Sequence, residues 1–360
     1  MSAAVHQLVA GFRRGDAISD EAERIAALCA GHGVESRIWC PRHAVARSDR
    51  GRTRDVEDLP AAARPGDVAL LHLSIGSRSN EIFAALPCRR AVLYHNVTPP
   101  RFYERLDPAT AGVLQRGLDA VRRLAGCGAD AWADSAFNAS ELRAMGWRDP
   151  KVFPLLVDDR FGEGAVDPAM RAKLSDPPRT NLLFVGRLAP NKRHDRLLKV
   201  VRAYRRSVDP GARLVVAGGD DGRAVYRTLL RGTANTLMLG DGVLFAGFLE
   251  PAELAACYAT ASAFVCLSDH EGFCAPLLEA MAWRVPVFAA AAGAVPETLD
   301  GAGVLFDPGA DEATIAETIG RVLRDPALLG AVLKKQDARL ARFRARDPWA
   351  ELRTMLGLPR

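Results

Sequence analysis

The chain has 360 residues, enough for two domains, of which 49% are hydrophobic and 25% charged, with a net charge of +5. Such a mix belongs to a globular protein, and the small positive balance gives no electrostatic ground for binding nucleic acid. No apolar run approaches the roughly 18 residues of a membrane span. The seven cysteines are scattered with no CxxC pair, so they suggest neither a disulfide framework nor a zinc site and fit a reducing cytoplasm. The N-terminal "MSAAVHQLVAGFRRGDAISD" lacks the charged start and apolar core of a signal peptide. A cytoplasmic location is expected.

In chain order, the first half carries short apolar runs: "VHQLVA", "SRIWC", "DVALLHLS", "RAVLYHN", "DAWADS" and "KVFPLL". They are nearly continuous, as in strands buried on both faces. Stretches of helical period lie between several of them, as at residues 20–29 and 109–124. Residues 157–180, "VDDRFGEGAVDPAMRAKLSDPPRT", are rich in Asp, Gly and Pro and have no strand pattern, which reads as a linker. The second half repeats the scheme with "NLLFVG", "RLVVAG", "GVLFAG", "AFVCLS", "VPVFAA" and "GVLFDP". Alternating β and α units predict an α/β chain with two doubly wound, Rossmann-like domains facing a cleft. The expected division is 1–157, a linker at 158–180, 181–330, and basic C-terminal helices over 331–360 that pack back across the domain boundary.

Ligands of such sheets bind beyond the carboxyl ends of the strands. In the second half those ends read "VGRL", "AGGDDG", "AGFL", "LSDHEGF" and "AAAAGAVPE". After the strand "AFVCLS", the loop "SDHEGFCA" leads to Pro276, which suits the first position of a helix. The first amides of that helix have no internal partner and are suited to a phosphate. Glu271 lies in the loop and Glu279 in the first turn. A carboxylate is repelled by phosphate, so each glutamate is better placed on the hydroxyls flanking one. Hydroxyls, phosphates and hydroxyls in sequence describe a nucleoside diphosphate sugar. An acidic first turn favoured by the helix dipole explains Glu279 equally well. Arg187 follows a strand end and Lys192 precedes the next helix, and two cations there can neutralise a diphosphate. Solvated surface cations are the alternative. With no Asp-x-Asp to hold a bridging ion, no metal and no cofactor are expected.

The segments "VGRL…NK", "AGFLEPAELAACYATASAFVCLSDHEGFCAPLLEAMA" and "VPVFAAAAGAVPETL…GAGVLFDP" resemble the nucleotide-sugar domain of retaining glycosyltransferases of family four (group 1), which have the GT-B architecture. The two glutamates, seven residues between them, match the family's motif. The resemblance is strong over residues 182–307 and weaker in the first half, at Gly15 and "LYHNVTP". "GDAISDEA", "YHNVTPPRFY" and "LSDHEGFCAPLLEAMA" are most similar to mannosyltransferases of polysaccharide and O-antigen assembly.

The resemblance implies roles. Glu271 would contact the donor sugar and Glu279 the ribose. Arg187 and Lys192 would bind the diphosphate, helped by the amides of Gly272, Phe273, Cys274, Ala275 and Leu277 around Pro276. His95 would face the sugar from the first domain, with a hydrogen-bonded loop histidine as the alternative. Gly15 would let the first-domain loop approach the phosphates, although a simple turn glycine explains it equally well, and backbone near Gly247 and Phe248 would meet the base, although Phe248 also suits a core. The partners would be a nucleotide-sugar donor and a hydroxyl of a glycan or lipid-linked glycan acceptor. Retention would proceed by front-face return, with the leaving phosphate helping to deprotonate the acceptor.

The sequence departs from the family at Cys274 and Arg284, where glycine is usual, and in the reduced first loop "AGFRRGDA", whose Arg13 and Arg14 suit either phosphate or solvent. Lys335, Arg339, Arg342 and Arg346 form a helical stripe beside Leu340 and Phe343, suited to anionic lipid on the inner membrane face or to solvent. A sugar-nucleotide epimerase or hydrolase and a non-catalytic binding protein share these features. A dinucleotide oxidoreductase is disfavoured because no GxGxxG opens a strand–helix junction.

Overall fold

The computed structural model describes residues 3–157, 161–220 and 224–358. They form two units, Met1–Leu156 with Asp347–Arg360 and Val157–Arg346.

The first unit holds a sheet of β1 (Val5–Leu8), β2 (Ser36–Cys40), β3 (Arg54–Asp55), β4 (Val68–Leu73), β5 (Arg89–Tyr94), β6 (Asp130–Ala133) and β7 (Lys151–Val152). The order is β3-β2-β1-β4-β5-β6-β7, and every pairing is parallel. Five of the six apolar runs predicted here contain a strand of four residues or more, while "KVFPLL" contributes only Lys151–Val152. The short edge strand β3 carries Arg and Asp and has no apolar signal to announce it. The helices Ala17–Gly31 and Pro108–Leu124 cover the two predicted helical stretches. Asp16 caps the first by accepting from Ser19 N, and Asp107 caps the second by accepting from Thr110 N.

The second unit holds β8 (Asn181–Val185), β9 (Arg213–Ala217), β10 (Val243–Gly247), β11 (Ala263–Cys266), β12 (Val287–Ala290) and β13 (Val304–Phe306). The order is β10-β9-β8-β11-β12-β13, again parallel throughout. All six predicted runs of this half are strands. Strand order reverses between β8 and β11, so the connections leaving those two strands diverge to opposite faces and open a crevice at their carboxyl ends. The corresponding point of the first sheet lies between β1 and β4.

The segment read as a linker contains a helix, Pro168–Ser175, with Asp167 accepting from Met170 N at 2.6 Å. It is fastened to the second unit by Asp167 N, which donates to Ala252 O, and by Asn181 Nδ2, which donates to Leu174 O. Of the helix Pro168–Ser175 only the Leu174 side chain is buried, too little for an apolar period to show in the sequence. The segment 331–360 divides. The helix Pro326–Arg344 stays with the second unit, where buried Gln336 donates to Val285 O and accepts from Val287 N. The helix Pro348–Leu356 joins the first unit, with Leu352, Met355 and Leu356 fully buried among Val5, Ile25, Leu70 and Leu93.

The basic stripe is engaged with its own unit. Arg339 donates to Thr298 O, Arg339 and Arg342 both face Asp300, and Leu340 and Phe343 are buried. The apolar pair expected to flank a lipid-facing surface is therefore part of the core. Among the described residues no helix is long and apolar enough to cross a membrane.

Candidate active site

The crevice residues of the second unit come from the segments that follow β8, β11 and β12. After β8, a 3-10 turn at Pro190–Lys192 ends on Lys192, and Arg193 adopts a left-handed backbone before the helix His194–Ser207. After β11, the loop is held from two sides. Asp269 N donates to Asn191 O, and Asn191 Nδ2 donates to His270 O. From the other side, Ala294 N donates to Glu271 O. Gly293 makes that approach possible: it has φ +56°, and a Cβ there would lie 2.3 Å from Glu271 O. Arg193 adds ion pairs to Asp195 and Asp269.

This scaffold brings Lys192 and Glu271 together. Lys192 Nζ donates to Glu271 Oε2 at 2.5 Å, with the carboxylate side chain 6% exposed and the lysine side chain 18% exposed. Burial disfavours the ammonium, but the Glu271 carboxylate, with smaller help from the Cys274 and Cys266 sulfurs, outweighs it and raises the Lys192 pKa. The pairing thus favours the ammonium form of Lys192. The sequence reading gave one a phosphate and the other a sugar hydroxyl; here each is the other's partner.

Glu279 lies in the first turn of the helix Pro276–Ala282, half-buried, and its Oε2 accepts from the Tyr258 hydroxyl at 2.7 Å. Burial, followed by the Glu279 charge, pushes the Tyr258 pKa well above its usual value, so the phenol remains a donor. Tyr258 went unnoticed in the sequence because nothing in "AACYATA" marks it as a partner for a residue 21 positions away. Arg187 is exposed just beyond β8.

Around Pro276 the expected amides divide. Leu277 N donates to Cys274 O, so it is engaged inside the turn. Among the described residues, Phe273, Cys274 and Ala275 have no backbone acceptor for theirs. The side chain of Phe273 is buried and lies against Phe343, and its carbonyl accepts from Thr298 Oγ1. Gly272 is half-buried in the same loop. Cys274 has φ +69° and Arg284 φ +55°, which accounts for the glycine usual at both positions. Gly247 also has a left-handed backbone, and its carbonyl accepts from Gly218 N. Phe248 beside it is 54% exposed, which settles the alternative of a core side chain against it.

In the first unit Gly15 has φ +78°, and its amide donates to Asp20 Oδ1 at 3.0 Å. That amide is already engaged by a carboxylate, whereas the expectation gave the loop to phosphate. Arg13 and Arg14 are exposed. His95 follows β5 with its side chain 3% exposed. Its Nε2 lies 2.9 Å from His72 Nδ1, and its Nδ1 lies 3.4 Å from Asp134 Oδ2. His72 Nε2 in turn meets Gln7 Oε1 at 2.8 Å. Burial, then the neighbouring His95, lowers the His72 pKa well below the usual range. Both ring nitrogens of His95 therefore have neighbours within the first unit, a network that the sequence did not disclose.

Residues 167–340 match the family model described as glycosyl transferases group 1. A GDP-mannose-dependent alpha-(1-6)-phosphatidylinositol monomannoside mannosyltransferase of Mycolicibacterium smegmatis is 34% identical over 192 residues, 50% of this chain and 48% of the relative. The chain thus spans about half the length of the curated relatives it matches. Among solved structures, sucrose-phosphate synthase from Thermosynechococcus elongatus aligns with a TM-score of 0.74 at 19% identity, covering 98% of both chains. HepE of Anabaena, solved in complex with UDP-glucose, aligns with a TM-score of 0.72 at 18% identity, also covering 98% of both chains. At such identities these likenesses establish the fold. The two parallel sheets have the architecture of GT-B glycosyltransferases, and residues 167–340, just under half of the chain, match the group 1 glycosyl transferases.

Proposed function

We propose that the protein transfers a hexose, with retention of configuration, from a nucleoside diphosphate sugar to a hydroxyl of a glycan or lipid-linked glycan. The observation that carries this reading is the buried Lys192–Glu271 pair at the β8/β11 crevice, with Arg187 beyond β8 and Glu279 fixed by Tyr258. GDP-mannose is the proposed donor, supported by the names of the mycobacterial relatives.

In this reading Arg187 and Lys192 stabilise the charge that grows on the departing diphosphate, usually the largest single contribution to such a step. Glu271 accepts a hydrogen bond from a sugar hydroxyl, and Glu279 accepts from the ribose. An ion-paired carboxylate is a weak nucleophile, so the pairing of Glu271 with Lys192 favours front-face departure over a covalent glycosyl-enzyme. No bridging metal is required, because the two cations compensate the diphosphate.

The test is release of nucleoside diphosphate from GDP-mannose and UDP-glucose, with and without a panel of mannoside and lipid-linked acceptors, in excess chelator. The expected result is acceptor-dependent release with an α-linked product, reduced ~10²–10³-fold in Arg187→Ala. Lys192→Ala is a poorer probe because it leaves Glu271 buried and unpaired. Equal release without acceptor would make the protein a hydrolase. Loss of turnover in chelator, restored by magnesium or manganese, would overturn the charge assignment.

A further inference from the structure

We propose that Cys266, Cys274 and Glu271 form a binding site for a single thiophilic divalent cation such as Zn2+ or Cd2+. Cys266 closes β11, and Cys274 ends the loop that follows it. Their separation along the chain is not a metal-ligand spacing, so the site leaves no mark in the sequence. The fold nevertheless places Cys266 Sγ 3.9 Å from Cys274 Sγ and 3.9 Å from Glu271 Oε1, with all three ligand atoms within 4.8 Å of one another.

The sulfur–sulfur separation suits a tetrahedral ion, while the carboxylate oxygen, within 4.8 Å of both sulfurs, has to close in to complete its edges. Bonds of about 2.3 Å to sulfur and about 2.0 Å to oxygen require edges of about 3.8 Å between sulfurs and about 3.5 Å between sulfur and oxygen. A disulfide requires the sulfurs to approach to about 2.05 Å, so the thiols as they stand fit a shared ion far better than a bond to each other. The carboxylate is divided between two tasks: Oε2 accepts from Lys192, and Oε1 lies toward the sulfurs. Ser268 Oγ lies 3.4 Å from Cys266 Sγ and can donate to the bound sulfur, the kind of outer contact that orients a ligand. Cys274 is half-buried as a residue, while the three ligand groups are buried.

Binding balances as one divalent cation plus two thiols giving two metal–thiolate bonds and two protons released to solvent, with the carboxylate as third ligand and a fourth position left to water. Two thiolates neutralise the ion, and Lys192 neutralises the carboxylate. An ion held here withdraws Glu271 from the donor sugar. That consequence rests on the function proposed above; the binding itself does not.

The test is titration of the reduced full-length protein with Co2+, followed by Zn2+. The expected result is one Co2+ per chain, with a thiolate-to-cobalt charge-transfer band and the strong visible bands of four-coordinate cobalt, all lost on adding Zn2+. Cys266→Ala and Cys274→Ala should each weaken binding about tenfold or more, and Cys127→Ser should not. Absence of the thiolate band at one equivalent, or its persistence in both alanine variants, would overturn the proposal. If either variant fails to fold, alkylation of the wild-type protein decides: Zn2+ should slow iodoacetamide modification of Cys274 about tenfold or more, and an unchanged rate overturns the site.

Discussion

Arg284 stands at φ +55° directly after the helix Pro276–Ala282, where a side chain with a Cβ costs about 1 kcal/mol relative to glycine. Its guanidinium pairs with Asp337 at 2.9 Å, but the two side chains are 65% and 45% exposed, so the pair returns about 0–1 kcal/mol. Arg284→Gly is therefore expected to raise the melting temperature or leave it unchanged, with turnover retained. A large loss of turnover in a folded variant would show that Arg284 acts in the site. His194 presents the opposite case. It is fully buried, neither ring nitrogen makes a well-formed hydrogen bond among the described residues, and burial, then the charge of Lys192, lowers its pKa to about 3. The neutral ring is favoured in the folded state, so its contribution is complete above the unfolded value near 6.5 and is lost as pH falls from there toward 3. Between pH 7 and 5 this costs up to about 2 kcal/mol. Denaturation at the two pH values should show a smaller acid loss for His194→Leu than for wild type, and equal losses would contradict the assignment.

At the level of elements, the helix Pro348–Leu356 tests how the end of the chain serves the first unit. Leu352, Met355 and Leu356 are fully exposed to its core and closed to solvent. Leu352→Ala should destabilise that unit by about 2–5 kcal/mol through lost burial and the cavity left behind. Thermal unfolding monitored by hydrogen exchange should show the loss in β1, β4 and β5, while β8–β13 keep their protection. Uniform weakening of both sheets would contradict it. The strands were legible because parallel strands covered on both faces must be almost wholly apolar, as "VALLHL" and "NLLFV" are. β3 and the helix Pro168–Ser175 were not, because neither buries enough apolar surface to leave a period. Glu271 and Lys192 were legible as candidates from their positions after strands. Their pairing was not, because it joins residues 79 apart through a loop clamped by Asn191 and Gly293. The same holds for the network of Gln7, His72 and His95, which three separate strands or their ends supply.

For the whole molecule, the central claim is that the crevice of the second unit binds a nucleoside diphosphate and holds its sugar for transfer. The group 1 match and the β8/β11 reversal fall on that same unit, and the charge pair lies there as well. Calorimetric titration of GDP and UDP into the wild-type protein, Arg187→Ala and Glu279→Ala tests this most directly, with the melting temperature of each variant recorded alongside. The account predicts one nucleotide per chain, weakened about tenfold or more in either variant by loss of a charged hydrogen bond worth about 1.5–3 kcal/mol. Binding of neither nucleotide, or affinity unchanged in two folded variants, would contradict it.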